Sequence, residues 1–366
     1  MRQRLVLVGA GHTHVLVLRR WIDTPVDADV TIVTAREDST YSGMVPGVIA
    51  GNYRIEDARI AVRPLAGRAR AAVIIETAQR VDPERRVIQL STGAELAYDV
   101  ASLDVGSAVR GLDTPGVREH AIATRPIDDF DERVQRRIDG LGKARLRIAV
   151  VGGGAAGVEV SFVMRARLAA QRISAAITLV CGKDGLLPGY GSRAQRLVMR
   201  EASKRGITID RSADVERVDG DGALLFGRRV EADLVVWATG PAAPALIAAS
   251  PLPHDSHGFV SVAPTLAVAG TRALFAAGDC ATIDGAEWVP KAGVHAVREA
   301  PLLEKNLRAA IAGAALEEYV PQRSFLSLLN LGDDRAIATK WGLAVSGRMA
   351  WRLKDRIDRG FVRQFR

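Results

Sequence analysis

Cysteine is almost missing from this 366-residue chain: Cys181 and Cys280 are the only two, and no C-x-x-C pair occurs. That excludes a disulfide framework and a cysteine-based zinc site, and no metal is expected. Long apolar runs are missing as well. None approaches the roughly 18 residues of a membrane-crossing helix. The first apolar stretch, residues 5–8, runs into a glycine-rich turn instead of a small-residue cleavage site, so no signal peptide is expected and the cytoplasm is the expected location. Low-complexity segments are absent. What remains is an ordinary folded composition, 48% hydrophobic and 25% charged, in a length that suggests two domains and an appendage. The net charge of +8 is unevenly placed. Between Gly347 and Arg366, seven basic residues face only Asp355 and Asp358, a surplus of five. Net charge is the only feature that would favour nucleic acid, and no nucleic-acid partner is expected.

Two glycine-rich turns carry the strongest signal: Gly9-Ala10-Gly11-His12-Thr13-His14 and Gly152-Gly153-Gly154-Ala155-Ala156-Gly157. Each follows a short apolar run (5–8 and 148–151) and opens a segment with helical apolar periodicity, the setting of a dinucleotide fingerprint. Glycines there permit a tight turn that lets a pyrophosphate sit on the following helix N-terminus. Around the first turn the chain reads strand, helix, strand over 5–8, 15–21 and 30–33. Residues 72–105 read as shorter β pieces (73–76, 86–90, 101–105) joined by hairpin turns. Around the second turn the pattern repeats, with helix 158–170, strand 176–180, helix 193–204 and a strand ending at 238. After residue 264 come an apolar strand, 273–277, and a helical pattern over 291–312 that Pro301 is expected to kink or divide. The expected fold is α/β: two Rossmann-like dinucleotide-binding domains, the second inserted in the first, with a C-terminal α/β extension. The corresponding boundaries are 1–108 with 265–330, 109–264, and 331–366.

Strand endings add to this. Residues 233–238 run into Thr239-Gly240, which lets the backbone pass close to a nucleotide; Asp104-Val105-Gly106-Ser107 holds the equivalent place in the first unit. Residues 274–277 run into Gly278-Asp279, where the carboxylate can accept a hydrogen bond from a ribitol hydroxyl or simply cap the next turn. The helix starting near Lys291 would direct its N-terminus at a flavin pyrimidine, where its dipole stabilises negative charge.

Taken together, these motifs resemble the two-dinucleotide flavoproteins of the pyridine nucleotide-disulfide oxidoreductase superfamily, which includes type II NADH dehydrogenases and sulfide:quinone reductases. More narrowly, the 8–14 turn, the block Tyr41-Ser42-Gly43-Met44-Val45-Pro46-Gly47-Val48-Ile49-Ala50-Gly51 and the segment 351–359 resemble the oxidoreductase domain fused to selenide, water dikinase. The resemblance spans nearly the whole chain. It implies FAD on Gly9, Gly11 and His12, with Pro46 near the flavin, Gly278 and Asp279 on its ribityl-pyrophosphate, and Thr34 and Gly106 along the same site. It implies NADH or NADPH on Gly152, Gly154, Gly157 and Gly240, with Glu159 near the nicotinamide pocket. Thr34 and Cys181 stand where a ribose-binding acid is expected, so NAD and NADP are not distinguished. His14 replaces the third small residue of the first fingerprint, either wedged in the packing or touching a ligand.

A disulfide reductase needs two thiols close enough to bridge, and these two are expected in different domains. Electrons would then pass directly from reduced flavin to a quinone or other small acceptor. Lys291 and His295 are the candidate catalytic residues: His295 can supply a proton near neutral pH or be satisfied within helix packing. Met349, Leu353, Ile357, Phe361 and Phe365, four apart, suggest a basic amphipathic helix. It lies on the inner face of a membrane through residues 347–366, or docks on its own protein or on a second copy in a homodimer. The function expected is an FAD-dependent NAD(P)H oxidoreductase; the alternative is a flavin-binding partner module of selenium metabolism with a vestigial or regulatory nicotinamide site.

Overall fold

The computed structural model describes residues 2–211 and 214–366. Strand β1 (Arg4–Val8), helix α1 (His12–Asp23), and strands β2 (Asp29–Thr34), β3 (Ala72–Ile75) and β4 (Val100–Leu103) build the first sheet. The second sheet comprises β5 (Ala121–Ala123), β6 (Arg145–Val151), β7 (Ser174–Val180), β8 (Ile207–Asp210) and β9 (Leu234–Trp237), with α2 (Ala155–Ala170) following β6. Strand β10 (Leu274–Ala276) then returns to the first sheet, whose order is β10-β4-β1-β2-β3, every neighbour parallel. The second sheet runs β5-β9-β6-β7-β8 and is also parallel throughout. Sheets covered on both faces need strands that are apolar nearly end to end, and β1, β4, β6 and β9 are.

Residues 72–75 and 100–103 are thus parallel strands of the main sheet, not hairpin arms. Only Ala78–Asp82, Val87–Leu90 and Glu95–Ala97 form the antiparallel meander expected over the whole stretch. Two short strands, Ala108–Val109 and Pro241–Ala242, pair where the chain leaves and re-enters the first domain. The return begins well before residue 265, because Leu246, Ile247, Leu252, Val260 and Val262 already belong to the first core. Helix α3 (Gly293–Ala312) continues through Pro301. Its flanks are fixed by packing: Ala300, Leu303 and Leu307 are buried, and Trp21 of α1 donates to Glu304 at 3.0 Å. Tertiary burial here outweighs the lost backbone hydrogen bond.

The third fingerprint position separates the two domains. In the second, a Cβ on Gly157 would come 1.8 Å from the Gly152 carbonyl oxygen. In the first, the side chain of His14 fills the equivalent gap, fully buried. Its Nδ1 lies 2.7 Å from the Gly9 carbonyl oxygen and its Nε2 2.8 Å from Ser102 Oγ. A carbonyl only accepts, so Nδ1 carries the proton and Nε2 accepts from the serine hydroxyl. Of the two readings of His14, the structure shows the wedge.

The C-terminal extension is a three-stranded antiparallel meander (Ser327–Asn330, Ala336–Lys340, Leu343–Gly347) followed by α4 (Arg348–Arg363). Helix α4 docks through Ala350, Trp351, Lys354, Asp358 and Val362, all buried, with Phe365 buried just beyond its end. Residues four apart step about 40° around a helix, so five of them spread over about 160°. The expected apolar stripe accordingly splits: Phe361 and Phe365 turn inward, while Met349, Leu353 and Ile357 are exposed at 73%, 42% and 44%. Lys354 Nζ donates to Asp358 at 2.8 Å and to the Gly43 carbonyl at 2.7 Å, and both side chains of the pair are buried. The Tyr41 hydroxyl shares Asp358, Tyr53 stacks on Trp351, and the Arg359 guanidinium lies over the Tyr53 ring.

Two outcomes follow from these contacts. Lys354→Met strands the Asp358 carboxylate and the Gly43 carbonyl in a buried site and is expected to cost about 3–5 kcal/mol. It should lower the thermal midpoint and expose α4 to limited proteolysis, with Asp358→Asn in the same chain restoring part of the loss. Burial pushes the His14 ring down to about 4, from an ordinary 6.5. Below pH 6.5 the unfolded chain binds a proton that the folded one resists, so this contribution is complete above pH 6.5 and is lost as the pH falls toward 4, up to about 3 kcal/mol. Thermal midpoints of His14→Gln between pH 7 and 4.5 should fall less steeply than those of the wild type; parallel slopes would rule the effect out.

Candidate active site

A cleft of about 1060 Å³ opens at the carboxyl ends of β1, β2 and β4, lined by Gly9, Gly11, His12, Thr34, Gly106 and Asp279 among the expected residues. Gly11 is the N-cap of α1. Asp104, leaving β4, sits beneath the turn: its carboxylate accepts the His14 N–H at 2.9 Å and also that of Thr13. A Cβ on Gly11 would lie 2.2 Å from that carboxylate and one on Gly278 2.8 Å from it, so both positions require the bare backbone. Burial pushes Asp104 up to about 6 despite its helix amides.

His12 begins α1. Its ring meets Tyr41 edge-on at 5.4 Å and Phe361 of the C-terminal helix at 5.9 Å. Its Nε2 is buried with no hydrogen-bond partner, and burial lowers its proton affinity against the pull of Asp104 and Asp279. Thr34 engages its own turn, donating to the Arg36 carbonyl at 3.2 Å. Pro46 lies in the short helix Val45–Ile49, half-buried and outside the lining of the cleft.

Gly278 and Asp279 follow β10. The Gly278 N–H donates to Glu299 Oε2 at 2.6 Å, and Asp279 pairs with Arg125 at 3.0 Å. Lys291 and His295 do not line the large cleft; they border a separate cavity of about 20 Å³, with Asp279 and Glu299. Lys291 Nζ is tied to Thr282 Oγ1 at 2.8 Å and to the Ala281 carbonyl, over the Phe259 ring. His295 is buried with both nitrogens unpartnered, edge-on to Phe325. Burial pushes Glu299 up to about 7 and lowers both Lys291 and His295.

In the second domain Gly152 has φ +128° and lies under the Ala238 carbonyl, Gly154 caps α2, and Gly157 packs on Gly152. Gly240 sits against the Arg110 guanidinium. Glu159 faces the C-terminal extension: it accepts the Asn330 N–H at 2.8 Å, and burial pushes it up to about 7 against the pull of Lys354. The thiols are free, buried and in different domains, with Cys280 pushed up to about 12 and Cys181 to about 11.

Sequence reasoning placed the strand ending at Asp104 in this region without giving its carboxylate a role, and it missed Glu299 and Arg125. An acid closing an apolar run marks Asp104 in the sequence. Arg125 carries no such mark, because its partner is 154 residues away.

The family profile described as pyridine nucleotide-disulphide oxidoreductase matches residues 3–300. The chain is similar to the NADH dehydrogenase-like protein YutJ of Bacillus subtilis, 23% identical over 356 residues that cover 96% of this chain and 97% of that protein. It is similar to the type II NADH:quinone oxidoreductase Ndh of Mycobacterium tuberculosis, 23% identical over 389 residues, 96% of this chain and 82% of that protein. Its fold matches that of NDH2 from Plasmodium falciparum in complex with NADH, with a TM-score of 0.82 at 16% identity, over 100% of this chain and 98% of that one. Two parallel sheets, each with a glycine turn after its central strand, and a profile match across most of the length identify the chain as a member of the pyridine nucleotide-disulphide oxidoreductase family.

Proposed function

We propose that this protein is an FAD-dependent NAD(P)H oxidoreductase that delivers electrons from reduced flavin to a quinone or similar small acceptor, without a thiol relay. The observation that carries the reading is the first-domain cleft: about 1060 Å³, with a helix N-terminus and a glycine turn at one wall and Asp279 at another. Its residues fit a flavin dinucleotide. The α1 N-terminus suits a diphosphate, Asp279 can accept from a ribityl hydroxyl, and the orphaned His12 Nε2 can hydrogen-bond a bound group. When bound, FAD supplies the two-electron chemistry between a nicotinamide and an acceptor. The chain contributes alignment, exclusion of water and fixed charge. Gly152, Gly154, Gly157 and Gly240 are the candidates for the second cradle, and the close backbone packing at Gly152 and Gly157 argues against a vestigial nicotinamide site. Two buried, protonated thiols in separate domains favour direct transfer.

No helix among the described residues is long and apolar enough to cross a membrane. Contact with a bilayer surface is supported by Met349, Leu353 and Ile357 on α4 and by Trp341, Leu343 and Val345 on the adjoining hairpin, all exposed, with Arg348, Arg352 and Arg356 around them.

Anaerobic addition of NADH or NADPH to the FAD-loaded protein should bleach the visible flavin absorbance, and a short-chain naphthoquinone should restore it; no bleaching by either nucleotide ends this reading. Replacing Met349, Leu353 and Ile357 together by Ser should cut co-sedimentation with anionic phospholipid vesicles about tenfold or more, leaving flavin reduction intact. Unchanged sedimentation, or a dimer in light scattering that the substitutions dissociate, would assign the patch to something other than lipid.

A further inference from the structure

We propose that Glu299 takes up a proton when an electron pair enters the first-domain cleft and gives it up when the pair leaves, so that the charge of each turnover is balanced inside the protein. The inference deepens the reading of that cleft as a flavin site and rests on it. Helix α3 begins at the cleft: Gly293 and Ala296, in its first turn, belong to the lining. Glu299, one turn further on, borders the enclosed cavity of about 20 Å³. Gly278 stands between the two. A Cβ there would lie 3.4 Å from the Ala296 Cβ, and its N–H donates to Glu299 Oε2 at 2.6 Å. A backbone one residue thick thus separates Glu299 from the cleft.

The groups around Glu299 leave its charge poorly compensated. It is 4% exposed, and burial beside Asp104 and Asp279 pushes its carboxyl up to about 7 against the pull of Lys291. Asp104 approaches Gly278 from β4 and is already held by the Thr13 and His14 amides. Asp279 is engaged by Arg125, whose Nη1 also donates to the Ser107 carbonyl at 3.1 Å, on the chain leaving the first domain. Lys291 is tied to Thr282 and Ala281. Arg298 on α3 and Tyr319 beyond it complete the set. Among the described residues, the Gly278 N–H is the one hydrogen bond that Glu299 accepts. A carboxyl poised in this way takes a proton when further negative charge arrives beside it. The proton has a way in. The cavity is large enough for a water molecule, and His295, with both nitrogens unpartnered, borders it beside Lys291. A neutral imidazole accepts at one nitrogen and releases at the other. The sum balances: a nicotinamide hydride brings two electrons and one proton, and a quinone becomes its quinol with two electrons and two protons. The second proton comes from water, and Glu299 stores it between the two half-reactions.

Anaerobic spectroelectrochemistry of the FAD-loaded protein tests this, as midpoint potential against pH for wild type, Glu299→Gln and Asp104→Asn. Glutamine keeps an acceptor for the Gly278 N–H and cannot titrate. Each proton taken up with an electron pair adds about 30 mV per pH unit to the slope. Well below pH 7 Glu299 already holds its proton, and the wild-type and Glu299→Gln lines should run together. Above pH 7 the wild-type line should be steeper by up to that amount. An indicator dye in weak buffer at pH 8 gives a second reading that needs no variant: wild type should take up as much as about one proton more per electron pair than free FAD does. A steepening that Asp104→Asn removes and Glu299→Gln keeps overturns the assignment to Glu299. A wild-type chain that binds no FAD, or whose flavin neither nucleotide reduces, overturns the reading beneath it. A reducible flavin with parallel lines and no extra proton uptake overturns this inference alone.

Discussion

The first-domain cleft is organised by one buried carboxylate. Asp104 closes β4 and binds the first turn of α1 through the amides of Thr13 and His14. The bare backbones of Gly11 and Gly278 are what make room for it. A carboxylate this deep costs several kcal/mol in isolation, which the positive end of a helix and two backbone donors offset in large part. The arrangement fixes the distance between the glycine turn, the end of β4 and the returning β10. Three segments widely separated in sequence are thereby held in one geometry.

A second buried charge joins the C-terminal extension to the same region. Lys354 and Asp358 on α4 reach the Tyr41–Gly51 block through the Gly43 carbonyl and the Tyr41 hydroxyl. Phe361 then stacks on Tyr41 at 4.2 Å and meets His12. The terminal helix therefore packs on His12, which lines the first-domain cleft, and its opposite side remains exposed. Glu159, on α2 of the second domain, is drawn into the same field by Lys354, so all three parts of the chain converge there.

Much of this was legible from local pattern. Apolar runs ending in glycine identify β1, β6 and β9 with their turns because a buried parallel strand and a tight phosphate-type turn each leave a local composition. The strand β4 was harder to read. Its four residues are all buried, but the turn signals upstream, Asp82-Pro83-Glu84 and Thr92-Gly93, suggest a hairpin. Lys291 and His295 were drawn toward the site by the start of α3, whereas the turn at Gly278–Cys280 separates them from the large cleft. The apolar stripe of α4 was real as a period and misleading as a face, since four-residue steps rotate around the helix. Arg125 lies beyond any local rule: its meaning depends on Ser107 and Asp279, one on each passage between the domains.

His14 bears on modularity. The two glycine turns look like copies of one part, yet in the first the space reserved for a glycine is filled by a ring bonded to Gly9 and Ser102. Restoring the consensus glycine there would open a void and leave a carbonyl and a hydroxyl unmatched, so a closer fit to the fingerprint means a worse fit to the protein. The first β-α-β unit is portable into another scaffold only together with the strand that brings Ser102 and Asp104.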